Sequence, residues 1–117
     1  MARAAPAKGD IYWYEPDPVM GSEQAGRRPA VIVSRDSINR SSPVLVLVPL
    51  TSYRGQRLYP SDVLVPSQAG LARDSVALGL HIRAVDRRRL RERICSLPPA
   101  TLRAISKAIL IVLDMEP

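Results

Sequence analysis

Among 117 residues the chain has one cysteine, one histidine and no phenylalanine. With Cys95 alone, no disulfide can close within the chain, and a reducing compartment fits. Cys95 lies in the apolar-alternating stretch "RERICSL", where a thiol fills core space rather than attacking a substrate. Cys95 and His81 are too few to build a zinc site of the common types. There is no GxGxxG, no P-loop and no GxSxG elbow, so nucleotide cradling and serine-elbow hydrolysis are not indicated. Nothing in the spacing supports a Ser-His-Asp triad around His81. The longest apolar run, "AILIVL" at 108–113, is too short to cross a bilayer. The start, "MARAAPAK", has no apolar run behind its charge, so neither a signal peptide nor a membrane span is expected, and the expected location is the cytoplasm.

What the chain does contain is aliphatic and basic. Hydrophobic residues make up 46% and aromatics only 4%, so the core has to be built from Val, Ile, Leu and Ala. The length suits one domain, read as residues 9–117 behind a flexible lead over 1–8. The net charge is +6, and fifteen of the seventeen basic residues are arginine. Guanidinium groups pair bidentately with phosphates, so this surplus favours a polyanionic partner. The competing explanation is an arginine-rich composition that puts Arg on any solvated face.

Period-2 and short apolar runs predict six strands, "GDIYWYE" (9–15), "PAVIVSR" (29–35), "VLVLVPLTS" (44–52), "SDVLVP" (61–66), "SVALGLHIRAV" (75–85, bulged at Gly79) and "ERICSL" (92–97). Residues 16–28 read as a loop, and "DSINRSSP" as a turn or one helical turn. After "SLPPAT" the period changes: Leu102, Ile105, Ile109, Val112 and Leu113 mark a C-terminal helix. The fold class expected is mainly β, a small, partly open barrel capped by that helix.

Two candidate functional segments remain. In "GSEQAGRRP", Gly21 and Gly26 allow positive φ, while Ser22, Glu23 and Gln24 offer polar groups. Pro29 restricts Arg28 to extended geometry at the strand entrance, and Arg27 should face the other way. The second segment is the end of the 44–52 strand, with His81 and Arg83 on the fifth.

"GDIYWYEPDPVMGSEQAGRRPAVIVS" resembles the N-terminal half of the MazF/PemK family of toxin endoribonucleases. The resemblance runs on through "VPLTS", "YPSDVLVP" and "DSVALGLHIRAVDRRRL", over most of residues 9–113. It implies an SH3-like barrel, a homodimer, metal-independent cleavage of single-stranded RNA without a cofactor, and control by a MazE-like antitoxin. It also implies that Arg28 and Thr51 are the catalytic pair, supported by Ser22, Glu23, Gln24, Ser52, His81 and Arg83. Where many relatives have an acidic residue and Gln before Ile-Arg, this chain has Leu80 and His81, so a role for that carboxylate does not carry over. His81 then stands either as a proton-transfer group or as a hydrogen-bonding residue of a half-buried strand. Glu23 braces its loop or touches RNA, Ser52 binds phosphate or caps the turn, and Arg83 binds phosphate or is an ion-pair partner within the barrel or at the dimer interface. Two other functions stay open, a CcdB-like gyrase-binding toxin that does not cut and a degenerate relative that binds RNA only.

Overall fold

The computed structural model describes residues 4–16, 26–68 and 70–115. In chain order it forms β1 (Asp10–Tyr14), β2 (Arg28–Ile32), the short helix α1 (Asp36–Ser41), β3 (Val44–Ser52), β4 (Asp62–Val65), β5 (Ser75–Leu78), β6 (Arg83–Asp86), β7 (Leu90–Ser96) and α2 (Pro99–Val112). All named strand pairs are antiparallel. β3 is the spine: β2 lies along one edge, while β6 and then β5 share the other. β1 runs between β2 and β7, and β4 pairs with β5.

Because successive side chains leave a strand on opposite faces, the sheet carries two cores. Tyr12, Tyr14, Ala30, Ile32, Leu45, Leu47, Val85 and Leu90 form one, inside the curl of β7-β1-β2-β3-β6. Ile11, Val31, Val48 and Leu50 face the other way and meet Val65, Ala77 and Ile105 of α2. Ala30, Val31 and Ile32 are all fully buried, which explains why this strand is an unbroken apolar run. β6 and β7 are joined by a 3₁₀ turn (Arg87–Arg89) and are not paired with each other among the described residues. The barrel is therefore partly open, as the sequence indicated.

The strand expected over 75–85 is corrected. It follows one edge of β3, but from Ala77 to Arg83 it advances six residues while β3 advances three, from Leu50 to Leu47. The excess forms a 3₁₀ turn at Gly79–His81. Gly79 marks the place because its amide donates to the Ser61 carbonyl, and a Cβ there would come within 2.6 Å of that oxygen.

Smaller shifts have local causes. β2 ends at Ile32 because Ser34 leaves the ladder: its hydroxyl accepts from Val46 N and donates to the Asn39 side chain of α1. Of the lead expected over 1–8, Lys8 N donates to Asp36 at 2.7 Å and Ala7 N to Asp10 at 3.0 Å. Pro98 and Pro99 start α2, which buries Ile105 and Ala108, whereas Leu113 lies just past its end and is exposed.

Candidate catalytic site

Arg28 is the first residue of β2 and pairs with Tyr14 of β1. The β2–β3 register, Ala30 with Pro49 and Val31 with Val48, carried two places further sets Arg28 across from Thr51. Directly opposed residues on neighbouring strands share a face, so the extended register directs both side chains to the same side of the sheet. Thr51 and Ser52 are half-buried and are held from the far side by Val76 and Ser75 of β5. Arg28 is exposed, and among the described residues it has no hydrogen bond or ion pair.

Arg27 takes the opposite side. Its Nη1 donates to both carboxylate oxygens of Glu92, at 2.7 and 3.0 Å, in a shallow hollow beside Trp13. A hydrogen bond from Glu92's own backbone N–H, together with the Arg27 guanidinium, holds the Glu92 carboxyl below the usual carboxylate range. Two adjacent arginines thus differ among the described residues: Arg27 is neutralised by Glu92 and Arg28 has no such partner there.

The backbone leaving Thr51 is braced by a residue the sequence reading did not single out. Gln56 Nε2 donates to Ser52 O at 3.1 Å, and its Oε1 accepts from Arg54 N at 2.6 Å, folding the turn around Gly55 at φ +82°. Tyr53 N donates to Asp74 O at 3.0 Å, so the ladder to the β5 side continues past Ser52. The available signal was the Gly flanked by polar residues in "YRGQR", where a side-chain amide can stand in for backbone partners.

The other expected site residues are scattered. His81 is exposed on the 3₁₀ turn, not on a strand, so the expectation that it lies with Arg83 on the fifth strand is overturned by the three-residue excursion. Arg83 is half-buried on β6, across from Leu47. Ser22, Glu23 and Gln24 lie outside the described residues.

The basic run 86–93 is largely committed within the fold. Arg87 donates to the carbonyls of Ser42 and Asn39, Arg88 to Asp86, Arg89 to Pro16 O, and Arg91 to Glu15. Arg93 reaches Ser96 and lies 3.5 Å from Asp10. The two clefts these residues frame, of ≈ 490 and ≈ 460 Å³, are lined by neither Arg28 nor Thr51. Among the described residues, no three His, Cys, Asp or Glu side chains gather as a metal site needs. A guanidinium without a partner among the described residues, on the same face as a hydroxyl, can instead grip two oxygens of one phosphoryl group.

Residues 7–113 match the family model described as PemK-like, MazF-like toxin of type II toxin-antitoxin system. The chain is 35% identical over 110 residues to Endoribonuclease MazF of Staphylococcus saprophyticus, covering 93% of this chain and 92% of that one. It superposes on a MazE-MazF crystal structure from Deinococcus radiodurans with a TM-score of 0.82 at 29% identity, over 97% of this chain and 100% of that one. A mycobacterial endoribonuclease solved in complex with its cognate antitoxin gives a TM-score of 0.79 at 25% identity, over 97% and 99% of the two chains. No helix among the described residues is long and apolar enough to cross a membrane.

Proposed function

This chain belongs to the PemK-like, MazF-like toxins of type II toxin-antitoxin systems, and we propose that it acts as an endoribonuclease on single-stranded RNA, with Arg28 and Thr51 at the scissile phosphate. What supports this assignment is an exposed Arg28, without a partner among the described residues, set on the same face as Thr51 when the β2–β3 register is carried to the strand end. The ribose 2′-oxygen attacks the adjacent phosphorus and loses its proton. The P–O5′ bond breaks, leaving a 2′,3′-cyclic phosphate and a 5′-hydroxyl. The intermediate phosphorane is dianionic, and a guanidinium already in place stabilises that charge as it develops. The Thr51 hydroxyl donates to a non-bridging oxygen. Arginine hardly gives up its proton, so Arg28 stabilises charge and donates a hydrogen bond to the departing 5′-oxygen, while the base that takes the 2′-proton and the acid that protonates the 5′-oxygen are other groups or solvent.

The remaining expected partners follow from the same reading. An acidic, partly disordered antitoxin segment fits a surface whose chain carries a net charge of +6. A two-fold homodimer fits the exposed apolar residues Leu80, Ile111, Leu113 and Met115 on and beside the α2–3₁₀ turn region. The test is incubation of the purified chain with a mixed RNA pool, mapping the new ends. New 5′-hydroxyl ends in the presence of EDTA, blocked by a single deoxyribose at the cut, are the expected result. Cutting of all-DNA strands, or strict dependence on Mg²⁺, overturns the mechanism. Growth arrest through gyrase with no new RNA ends favours the CcdB-like alternative, and binding without new ends the degenerate one.

A further inference from the structure

Of the two clefts framed by the basic run, the one of ≈ 490 Å³ collects charge of a single sign. Arg40, Arg87, Arg88 and Arg91 line it, and no acidic residue does. Two of these charges are answered from outside the cleft, Arg88 by Asp86 and Arg91 by Glu15. Among the described residues, Arg87 meets only backbone carbonyls, those of Asn39 and Ser42 on either side of Arg40. Its formal charge therefore has no carboxylate partner there. Arg40 is exposed and has no hydrogen bond or ion pair among the described residues. Carbonyls at the end of α1 give Arg87 a structural reason for its place. No such contact explains Arg40.

The rest of the lining is apolar and comes from two places. Tyr12 and Leu90 reach the cleft from the core inside the curl, and Ala5 and Pro6 from the N-terminal lead. The lead is fastened just behind them, where Ala7 N donates to Asp10 and Lys8 N to the Asp36 carboxylate. Asp36 and Arg40 are one helical turn apart on α1, so the lead and Arg40 are carried by the same short element. Arg87 is held by its two carbonyls and Arg91 by both oxygens of Glu15, so neither guanidinium needs much ordering when an anion arrives. Pockets for small organic ligands span roughly 300–1,000 Å³ and set a few placed polar groups in an apolar lining. This cleft has that size and that make-up, and a bare phosphate leaves most of it to water.

We infer that this cleft binds a small phosphorylated ligand with a planar apolar body, of the class of a nucleoside diphosphate. Its phosphates meet Arg40 and Arg87, and its ring lies against Tyr12, Leu90 and Pro6. Guanidinium and phosphate pair bidentately, and the two charges without a carboxylate partner match the charge of a diphosphate. Neither Arg28 nor Thr51 lines the cleft, so the site stands apart from the endoribonuclease reading and does not depend on it.

The test is isothermal titration calorimetry of the purified chain with ADP in EDTA, set beside pyrophosphate and adenosine. One ADP per chain is expected, bound about 10-fold or more tightly than pyrophosphate, because its ring buries apolar surface. Adenosine, which lacks the phosphates, is expected to bind more weakly than ADP by about 10-fold or more. Arg40→Ala is expected to raise Kd for ADP by about 10- to 150-fold, the consequence of losing one hydrogen-bonded charge. Ala5→Asp sets a carboxylate in the wall of the cleft and is expected to weaken ADP by about 10-fold as well. Arg28→Ala, outside the cleft, is expected to keep the wild-type Kd for ADP. No binding of ADP at millimolar concentration, pyrophosphate as tight as ADP, or wild-type affinity in Arg40→Ala overturns the site. An equal loss in Arg28→Ala also overturns it, since ADP then occupies the surface assigned to RNA. Cleavage of RNA is read separately, so a chain that binds ADP as expected but leaves RNA uncut fails only the endoribonuclease reading.

Discussion

Two groups of arginines in this small barrel look alike in composition and differ in what they touch. The run from Arg87 to Arg93 carries the highest density of positive charge, yet its guanidinium groups are tied to backbone carbonyls and carboxylates of β1, α1, β6 and the β1–β2 connection. Arg28, Arg54, Arg57 and Arg73 are spread along the sequence, and among the described residues none has an ion pair. Arg28 opens β2, Arg54 and Arg73 lie two residues beyond the paired ends of β3 and β5, and Arg57 covers the Tyr59 ring. Dense charge here joins β6 and β7 to the rest of a barrel left partly open. Sparse charge is left facing the solvent. A basic run in a sequence is therefore poor evidence for a nucleic-acid surface until its counter-charges are known.

The sharpest way to break this contrast is at the adjacent pair. Arg28→Ala is expected to lower kcat on the order of 100-fold or more, the usual consequence of losing one preorganised donor to a developing charge, without a change in Tm. Arg27→Ala removes an exposed ion pair with Glu92 and is expected to lower kcat by no more than a few-fold. Single-turnover rates with the same RNA decide it, with circular dichroism to check folding. If both variants stay folded and Arg27→Ala is the slower enzyme, the facing of the two residues is wrong.

Thr51 tests the same side more gently. Thr51→Ser keeps the donor and should retain most activity, whereas Thr51→Val keeps the shape, loses the donor and should fall by about 10-fold or more. Equal rates for the two would reduce Thr51 to a strand residue.

On the committed side, Arg87→Ala is expected to act on stability instead. Its guanidinium serves the carbonyls of Ser42 and Asn39, fastening the 3₁₀ turn to α1, and Asn39 is fully buried. Hydrogen bonds from a charged donor contribute roughly 1.5–3 kcal/mol each at most, so a loss on the order of 2 kcal/mol is expected in urea denaturation. The rate per folded molecule should be unchanged. A large fall in kcat with wild-type stability would move Arg87 into the functional group.

How much of this was legible in advance depends on whether the cause was local. Strand existence was, because apolar runs such as "PAVIV" and "VLVLV" report burial directly, and so was the Pro-led terminal helix. Opposite facing of Arg27 and Arg28 was legible too, since alternation at a strand start needs only Pro29 next door. The break at Gly79–His81 was not, although Gly79 was noticed as a bulge. Its extent is set by Ser61 O, a group eighteen residues away in the chain that approaches the glycine in space. Reading His81 and Arg83 on one strand fails for the same reason: residue parity holds only along an uninterrupted strand. The Gln56 brace was missed because "YRGQR" says polar loop without saying which carbonyl the amide will find. Gly79→Ala should accordingly cost on the order of 1–3 kcal/mol, because the new Cβ needs the Ser61 backbone to shift.

The smallest effect expected is electrostatic and confined to Asp86. Its carboxylate accepts from both the side chain and the backbone N–H of Arg88, and these bonds hold its pKa at about 2, against an ordinary 3.8. A depressed carboxylate pKa stabilises the fold above the unfolded value, and the contribution is lost as pH falls from about 4 through about 2. Arg88→Gln removes the first of the two causes and leaves the backbone bond, so the Asp86 carboxyl should titrate higher but still below its ordinary range. Carboxyl-carbon NMR from pH 1 to 6 measures this directly. Because Asp86 and Arg88 are both solvent-accessible, thermal stability at pH 7 and RNA cleavage should hardly move, even though a positive charge has been deleted from the most basic stretch of the chain. A clear drop in RNA affinity for Arg88→Gln, at an unchanged Asp86 midpoint, would mean that this guanidinium answers to phosphate after all.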